Sequence, residues 1–186
     1  MNINELVLKA HENAKNKGFW DKPRRETGTL IALIHSEVAE ALDADSCANF
    51  CEELSDICIR IFDLCGGKEI NLEAVIRLKD PNARKNFGLL EGISVDASSF
   101  SSLEKSMMKF GVDLNDDKHA SKVNRFLSYA LESDRKKDSK GFALHLAMAF
   151  LYTLKWAAKK GYSIEGNILA KMEKNSQRPR LHGKAY

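Results

Sequence analysis

At 186 residues the chain is long enough for one domain of ordinary size, or for two small halves sharing a core, and too short for two independent domains. Hydrophobic residues make up 44% and charged residues 30%, a balance that excludes disordered and fibrous classes. The net charge of +3, from 29 basic and 26 acidic residues mixed along the chain, is too weak a bias to indicate nucleic acid, yet it allows a local basic site for phosphate.

The first residues, MNINELVLKAHENAK, carry charges inside their only apolar stretch and do not read as a secretory signal. A first helix is expected from about Ile3 to Lys17, stopping at Gly18, and Pro23 to Glu26 lead into a second that reaches about Ala44. A third spans roughly Ala48 to Cys65 and ends at Gly66-Gly67, where glycine can adopt the left-handed C-terminal conformation. Cys47, Cys51, Cys58 and Cys65 are spaced by four, seven and seven residues and lack the CxxC pairs of a zinc site; on one side of this helix they read as small buried apolar residues. A short fourth helix covers Leu72 to Lys79 and is stopped by Pro81. The stretch from Asn86 to Ser102, with two glycines and five serines, reads as a connector. Four further helices follow, near Leu103 to Phe110, Lys118 to Glu132, Gly141 to Lys160 and Ile164 to Asn175. The longest apolar run, Phe142 to Ala158, is interrupted by His145 and Lys155 and falls short of the ~20 residues a bilayer requires, so a soluble, cytoplasmic protein without a membrane partner is expected.

The fold class is therefore all-α, a bundle of about eight helices in a single domain over residues 1–186. Offsetting the chain by 94 residues sets Ile70 over Ile164 and Arg84 over Arg178, and the preceding long helices line up as well. Two pseudo-repeated four-helix halves, 1–90 and 98–186, are one reading; a helical insertion is the other.

Two words carry chemistry. HSEVAE (His35 to Glu40) and EELSD (Glu52 to Asp56) each hold two carboxylates three residues apart, one above the other on a helix. Projection at 100° per residue puts Leu30, Ile34, Val38 and Ala41 on one face of the second helix, with Glu37 inside that apolar sector and Glu40 at its edge. In the third helix Phe50, Leu54, Ile57, Ile61 and Leu64 make the apolar face, and Glu53, Asp56 and Arg60 form a stripe along its flank. An ionised carboxylate facing a packed interface costs several kcal/mol unless it is paired or binds a metal. Arg60 offsets only part of the charge on four such groups. Oxygen donors without a matching His or Cys suit a hard ion, Mg²⁺ with Mn²⁺ as second choice.

With Glu37-Val-Ala-Glu40 followed by Glu53-Leu-Ser-Asp56, within KGFWDKPRRETGTLIALIHSEVAEAL and EELSDICIRIFDLCGG, the chain resembles the MazG-like all-α nucleoside triphosphate pyrophosphohydrolases. The C-terminal text Lys171-xxx-Asn175-xx-Arg178-Pro179-xx-His182-Gly183-Lys184 fits the same family. The resemblance implies that Glu37, Glu40, Glu53 and Asp56 hold Mg²⁺, and that an activated water attacks the phosphoryl group next to the nucleoside, releasing the monophosphate and pyrophosphate. It further implies that Lys171, Asn175, Arg178 and Lys184 hold the phosphates, with His182 and Arg60 beside them and Phe19 and Trp20 near the base. Glu53 or Glu40 is the expected proton acceptor.

The chain departs from that pattern in one respect. The basic tail follows the ExxD helix only after about 90 residues. Taken as duplicates, the first half has the ligands and a shortened tail, Lys79 to Arg84, while the second has the full tail and HLAMAF (His145 to Phe150) where EELSD would fall. One composite site per chain is then expected, as two subunits of a homodimer would build it, and a homodimer of the whole chain is left open. The alternative of another class is a non-catalytic helical module that binds metal or nucleotide for regulation or assembly. A nucleic-acid-binding bundle using Lys118 to Lys140 has no motif to support it.

Overall fold

Helix starts are fixed by short polar side chains that satisfy otherwise orphaned backbone N–H groups. In this computed structural model, which describes residues 1–21, 26–77, 95–109 and 115–183, the described residues form eight α-helices and no strand. The first, α1 (Ile3–Asn16), opens with a reciprocal cap in which the Asn2 side chain accepts from the Glu5 N–H at 2.8 Å and the Asn2 N–H donates back to Glu5 at 2.9 Å. Ser46 caps α3 (Cys47–Gly67), and Ser99 caps α5 (Phe100–Met108). Asn115 caps α6 (Asp116–Arg135), and Asp138 caps α7 (Ser139–Lys159). The remaining helices are α2 (Thr27–Leu42), α4 (Leu72–Arg77) and α8 (Glu165–Ser176).

Within the described residues the expected helices form, with three differences of physical interest; the ends expected at Lys79 and Phe110 and the short tail Lys79 to Arg84 lie outside them. The Ser99 cap starts α5 inside the stretch read as a connector, because serine serves as well for capping as for a loop. The Gly66-Gly67 pair does not take the left-handed conformation, which falls instead on Glu69 at φ 57°. These glycines are needed for close approach: a Cβ on Gly67 would lie 2.0 Å from the Trp20 ring, and one on Gly66 would lie 2.4 Å from His11. Gly18, at φ 80°, does make the left-handed turn after α1. Third, Cys51, Cys58 and Cys65 are buried as expected, whereas Cys47, the first residue of α3, is exposed.

The helices pack as two similar sets. In the first, α1 and α2 lie on α3; in the second, α5 and α6 lie on α7. The fourth helix of each set crosses to the other, so that α8 packs on α3 and α4 packs on α7, while α2 meets α6 and α3 meets α7. A single cluster of buried side chains therefore runs through both sets. Its centre is aromatic: Phe62 of α3 meets Phe150 of α7 edge-on at 5.2 Å, and Phe50 meets Trp156 in the same way at 5.3 Å. Among the described residues no helix is long and apolar enough to cross a membrane.

Buried Glu104 of α5 fixes the start of α8. It accepts from the Ile164 N–H and the Ser163 hydroxyl, each at 2.7 Å, and so holds the helix that brings Lys171 to α3.

Candidate metal and phosphate site

The carboxylates gather where α2, α3 and α8 meet. Glu37 sits within the apolar face of α2, among buried Ile34, Val38 and Ala41, and is 5% exposed. Ile31 takes the buried position that projection gave to Leu30, which is half-buried. A carboxylate so enclosed needs a partner, and Arg60 of α3 supplies one, its Nε donating to Glu37 Oε1 at 2.6 Å. Glu40, one turn further along α2, is exposed, as its edge position predicts.

Along α3 the polar flank reads Asn49, Glu52, Glu53, Asp56 and Arg60. Oxygens of Glu37, Glu40 and Glu53 lie within 4.8 Å of one another. Trans ligands of an octahedral Mg²⁺ are about 4.2 Å apart, twice the metal–oxygen distance, so small side-chain adjustments would close this trio on a hard cation. Burial, then the charges of Asp56, Glu37 and Glu40, push the Glu53 carboxyl up to about 7. Asn49, one turn earlier, donates from Nδ2 to Glu53 Oε1 at 2.8 Å.

Asp56, the fourth expected ligand, is engaged differently. Lys171 of α8 reaches it with Nζ at 2.7 Å and reaches Glu52 at 2.5 Å. Burial pushes the Asp56 carboxyl up against the pull of this ammonium. Burial also works against the Lys171 charge, but the hydrogen bonds from Asp56 and Glu52 outweigh it and hold the ammonium above the usual lysine range. One turn on, Asn175 is 9% exposed, and its Oδ1 has no hydrogen-bond partner among the described residues. Arg178 follows, half-exposed and without an ion pair among the described residues.

The other expected contacts lie further along α3. Trp20 Nε1 donates to Asp63 Oδ1 at 2.7 Å, and its ring meets His11 edge-on at 4.9 Å. Asp63 is seven residues beyond Asp56, about 10 Å along the helix axis. Phe19 packs edge-on against His182 at 4.9 Å, the Leu181 N–H donates to the Lys17 carbonyl at 2.8 Å, and Arg180 pairs with Asp21. The tail thus folds back on the end of α1, and the aromatic pair serves packing there. Lys184 lies outside the described residues. His35 bonds Asn124 of α6 at 2.6 Å and joins the two sets.

Sequence reasoning gave no role to Asn49, Glu52 or Glu104. Asn49 was within reach, since it stands four residues before Glu53. Glu52 and Glu104 gain theirs from partners 119 and 60 residues away, which no local pattern announces.

No family model matches the chain, and no curated protein or solved structure does either.

Proposed function

We propose that the chain is a Mg²⁺-dependent nucleoside triphosphate pyrophosphohydrolase of the MazG-like kind, acting on a ribo- or deoxynucleoside triphosphate. One observation carries this reading: Glu37, Glu40 and Glu53 converge on α2 and α3 while Lys171, from the far end of the chain, reaches the same cluster. A retired site would not need to keep both a hard-cation trio and a phosphate-binding helix in register.

Glu37, Glu40 and Glu53, with Asp56, would hold the ion. When bound, Mg²⁺ supplies polarisation of the phosphate oxygens and shielding of the departing pyrophosphate. The remaining work falls to the chain. Arg60 pairs with Glu37 and orients it within its apolar surroundings. Glu53 accepts a proton as water attacks the phosphorus next to the nucleoside and the bond to the pyrophosphate oxygen breaks. Asn49 fixes one Glu53 oxygen and so orients the carboxylate. Lys171 and Arg178 hold the triphosphate, lysine as a point charge and arginine through its fork.

The reading is tested by incubating the protein with a panel of ribo- and deoxynucleoside triphosphates in Mg²⁺ and identifying the products. Monophosphate and pyrophosphate are expected from at least one substrate, with no turnover in excess chelator. Orthophosphate and diphosphate would refute the bond assignment, and no product from any substrate would refute the activity.

A further inference from the structure

We propose that Lys171 is a resident counter-ion that exchanges with a divalent cation: its ammonium holds Asp56 and Glu52 until the cation engages Asp56, and then turns to the phosphates of the triphosphate. This rests on the function proposed above and specifies how that site is regulated.

Five carboxylates, Glu37, Glu40, Glu52, Glu53 and Asp56, face three cations in this corner of the molecule: Arg60, Lys171 and the exposed Lys174, which lies 3.6 Å from Glu52. The two enclosed cations are not equivalent. Arg60 is committed to buried Glu37 through a rigid guanidinium, whereas Lys171 carries a compact charge on a flexible stem and has no second donor plane to lock it. The Lys171 side chain is 12% exposed and is enclosed between its two acidic partners, at 2.7 Å from Asp56 and 2.5 Å from Glu52. It leaves only if another cation takes over the carboxylate. A dication sharing Asp56 with the Glu37–Glu40–Glu53 trio would do this.

An independent feature of α8 shows where a ligand would then lie. Asn175 stands one turn beyond Lys171 on the same face, nine-tenths buried, with an acceptor oxygen that no group among the described residues satisfies. Arg178 follows on that face without an ion pair among the described residues. A released Lys171 therefore finds an unsatisfied acceptor for its ammonium one turn away and lies beside Arg178, which has no ion pair among the described residues, and the anion completes the exchange by replacing the two carboxylates. Metal and triphosphate should consequently strengthen each other's binding.

The exchange is read on the intact chain with an amine-acylating reagent at constant pH and ionic strength, mapping labelled lysines by mass spectrometry. With the exposed Lys9 as internal reference, Mg²⁺ is expected to raise Lys171 labelling about tenfold, and a non-hydrolysable nucleoside triphosphate to suppress it again. Calorimetry supplies the second readout: Lys171→Met is expected to bind Mg²⁺ about tenfold more tightly than wild type while losing the mutual strengthening with the triphosphate. Unchanged labelling in a protein that calorimetry shows to bind Mg²⁺ would overturn the exchange and leave the proposed function standing. Failure of wild type to bind the ion would overturn both. Weaker Mg²⁺ binding by a folded Lys171→Met protein would show that lysine merely builds the site; if that variant does not fold, the wild-type labelling decides.

Discussion

The helix pair α2 and α3 and its counterpart α6 and α7 pack alike and are filled in opposite ways. Shifting by 94 residues sets Glu37 beside Leu131, Glu40 beside Asp134, Glu53 beside Ala147 and Asp56 beside Phe150. Where the first pair concentrates carboxylates, with Glu53 raised by burial and by the charges of its neighbours, the second buries Ala147 and Phe150, the latter in the aromatic centre of the core. Its one remaining carboxylate of the four, Asp134, makes a partly exposed ion pair with Lys68 at 3.1 Å. One framework can thus put its mutual repulsion in one place and its cohesion in the other. The crossing of α8 onto α3 then brings the basic helix of the apolar half to the carboxylates of the other.

The largest difference should appear on truncation at equivalent positions. Phe150→Ala removes a fully buried ring and is expected to lower unfolding free energy by about 3–5 kcal/mol in urea titrations. Asp56→Ala should leave most of the stability in place, and equal losses at the two positions would contradict the contrast.

The two halves should also respond oppositely to pH. His119 of α6 is fully buried, stacked parallel to Trp156 at 6.3 Å, with neither ring nitrogen hydrogen-bonded among the described residues. Burial, then the charges of Lys155 and Lys159, depress it to about 4, against the opposing charge of Asp116. A depressed histidine stabilises the fold above its unfolded value near 6.5, and this is lost as pH falls towards 4; about 3 kcal/mol is at stake. Thermal unfolding from pH 7 to 4 should show the loss, and His119→Leu should flatten it. Glu53 has the reverse sign. Its raised carboxyl favours the fold at low pH, and that contribution disappears as pH rises from 4.5 through about 7. In chelator at pH 8, Glu53→Gln should therefore raise Tm, by about 2 °C once solvent screening is allowed for, with the gain vanishing in saturating Mg²⁺.

Smaller in effect, Gly67→Ala isolates the reason for a glycine. Propensity alone would favour alanine inside a helix by up to about 1 kcal/mol. Contact with Trp20 reverses the sign, and a loss of about 1–3 kcal/mol is expected in the same titrations.

Much of the fold was readable because helices announce themselves by three-to-four periodicity, as in α3 and α6, whose observed bounds lie within a few residues of those expected. The burial of Glu37 was likewise readable from its place among apolar neighbours. What failed were readings that depend on distant partners. Gly66 and Gly67 do end α3, but close approach to His11 and Trp20, and not a left-handed turn, is what requires glycine there. Trp20, which the resemblance sets near the base, is held by Asp63 and His11, contacts that its sequence neighbours do not announce. Lys171 was singled out for phosphate, but its ion pairs with Asp56 and Glu52 cross 115 and 119 residues and follow only from the exchange of α4 and α8 between the two sets.

The central claim is that function resides in the carboxylate-bearing pair, and pyrophosphate release in Mg²⁺ by wild type, Glu53→Gln and Asp134→Asn tests it most directly. A fall in kcat of about 100-fold or more is expected for Glu53→Gln, as for loss of a general base, with Asp134→Asn indistinguishable from wild type. Release by Glu53→Gln equal to wild type, or equal losses in both variants, would contradict the account.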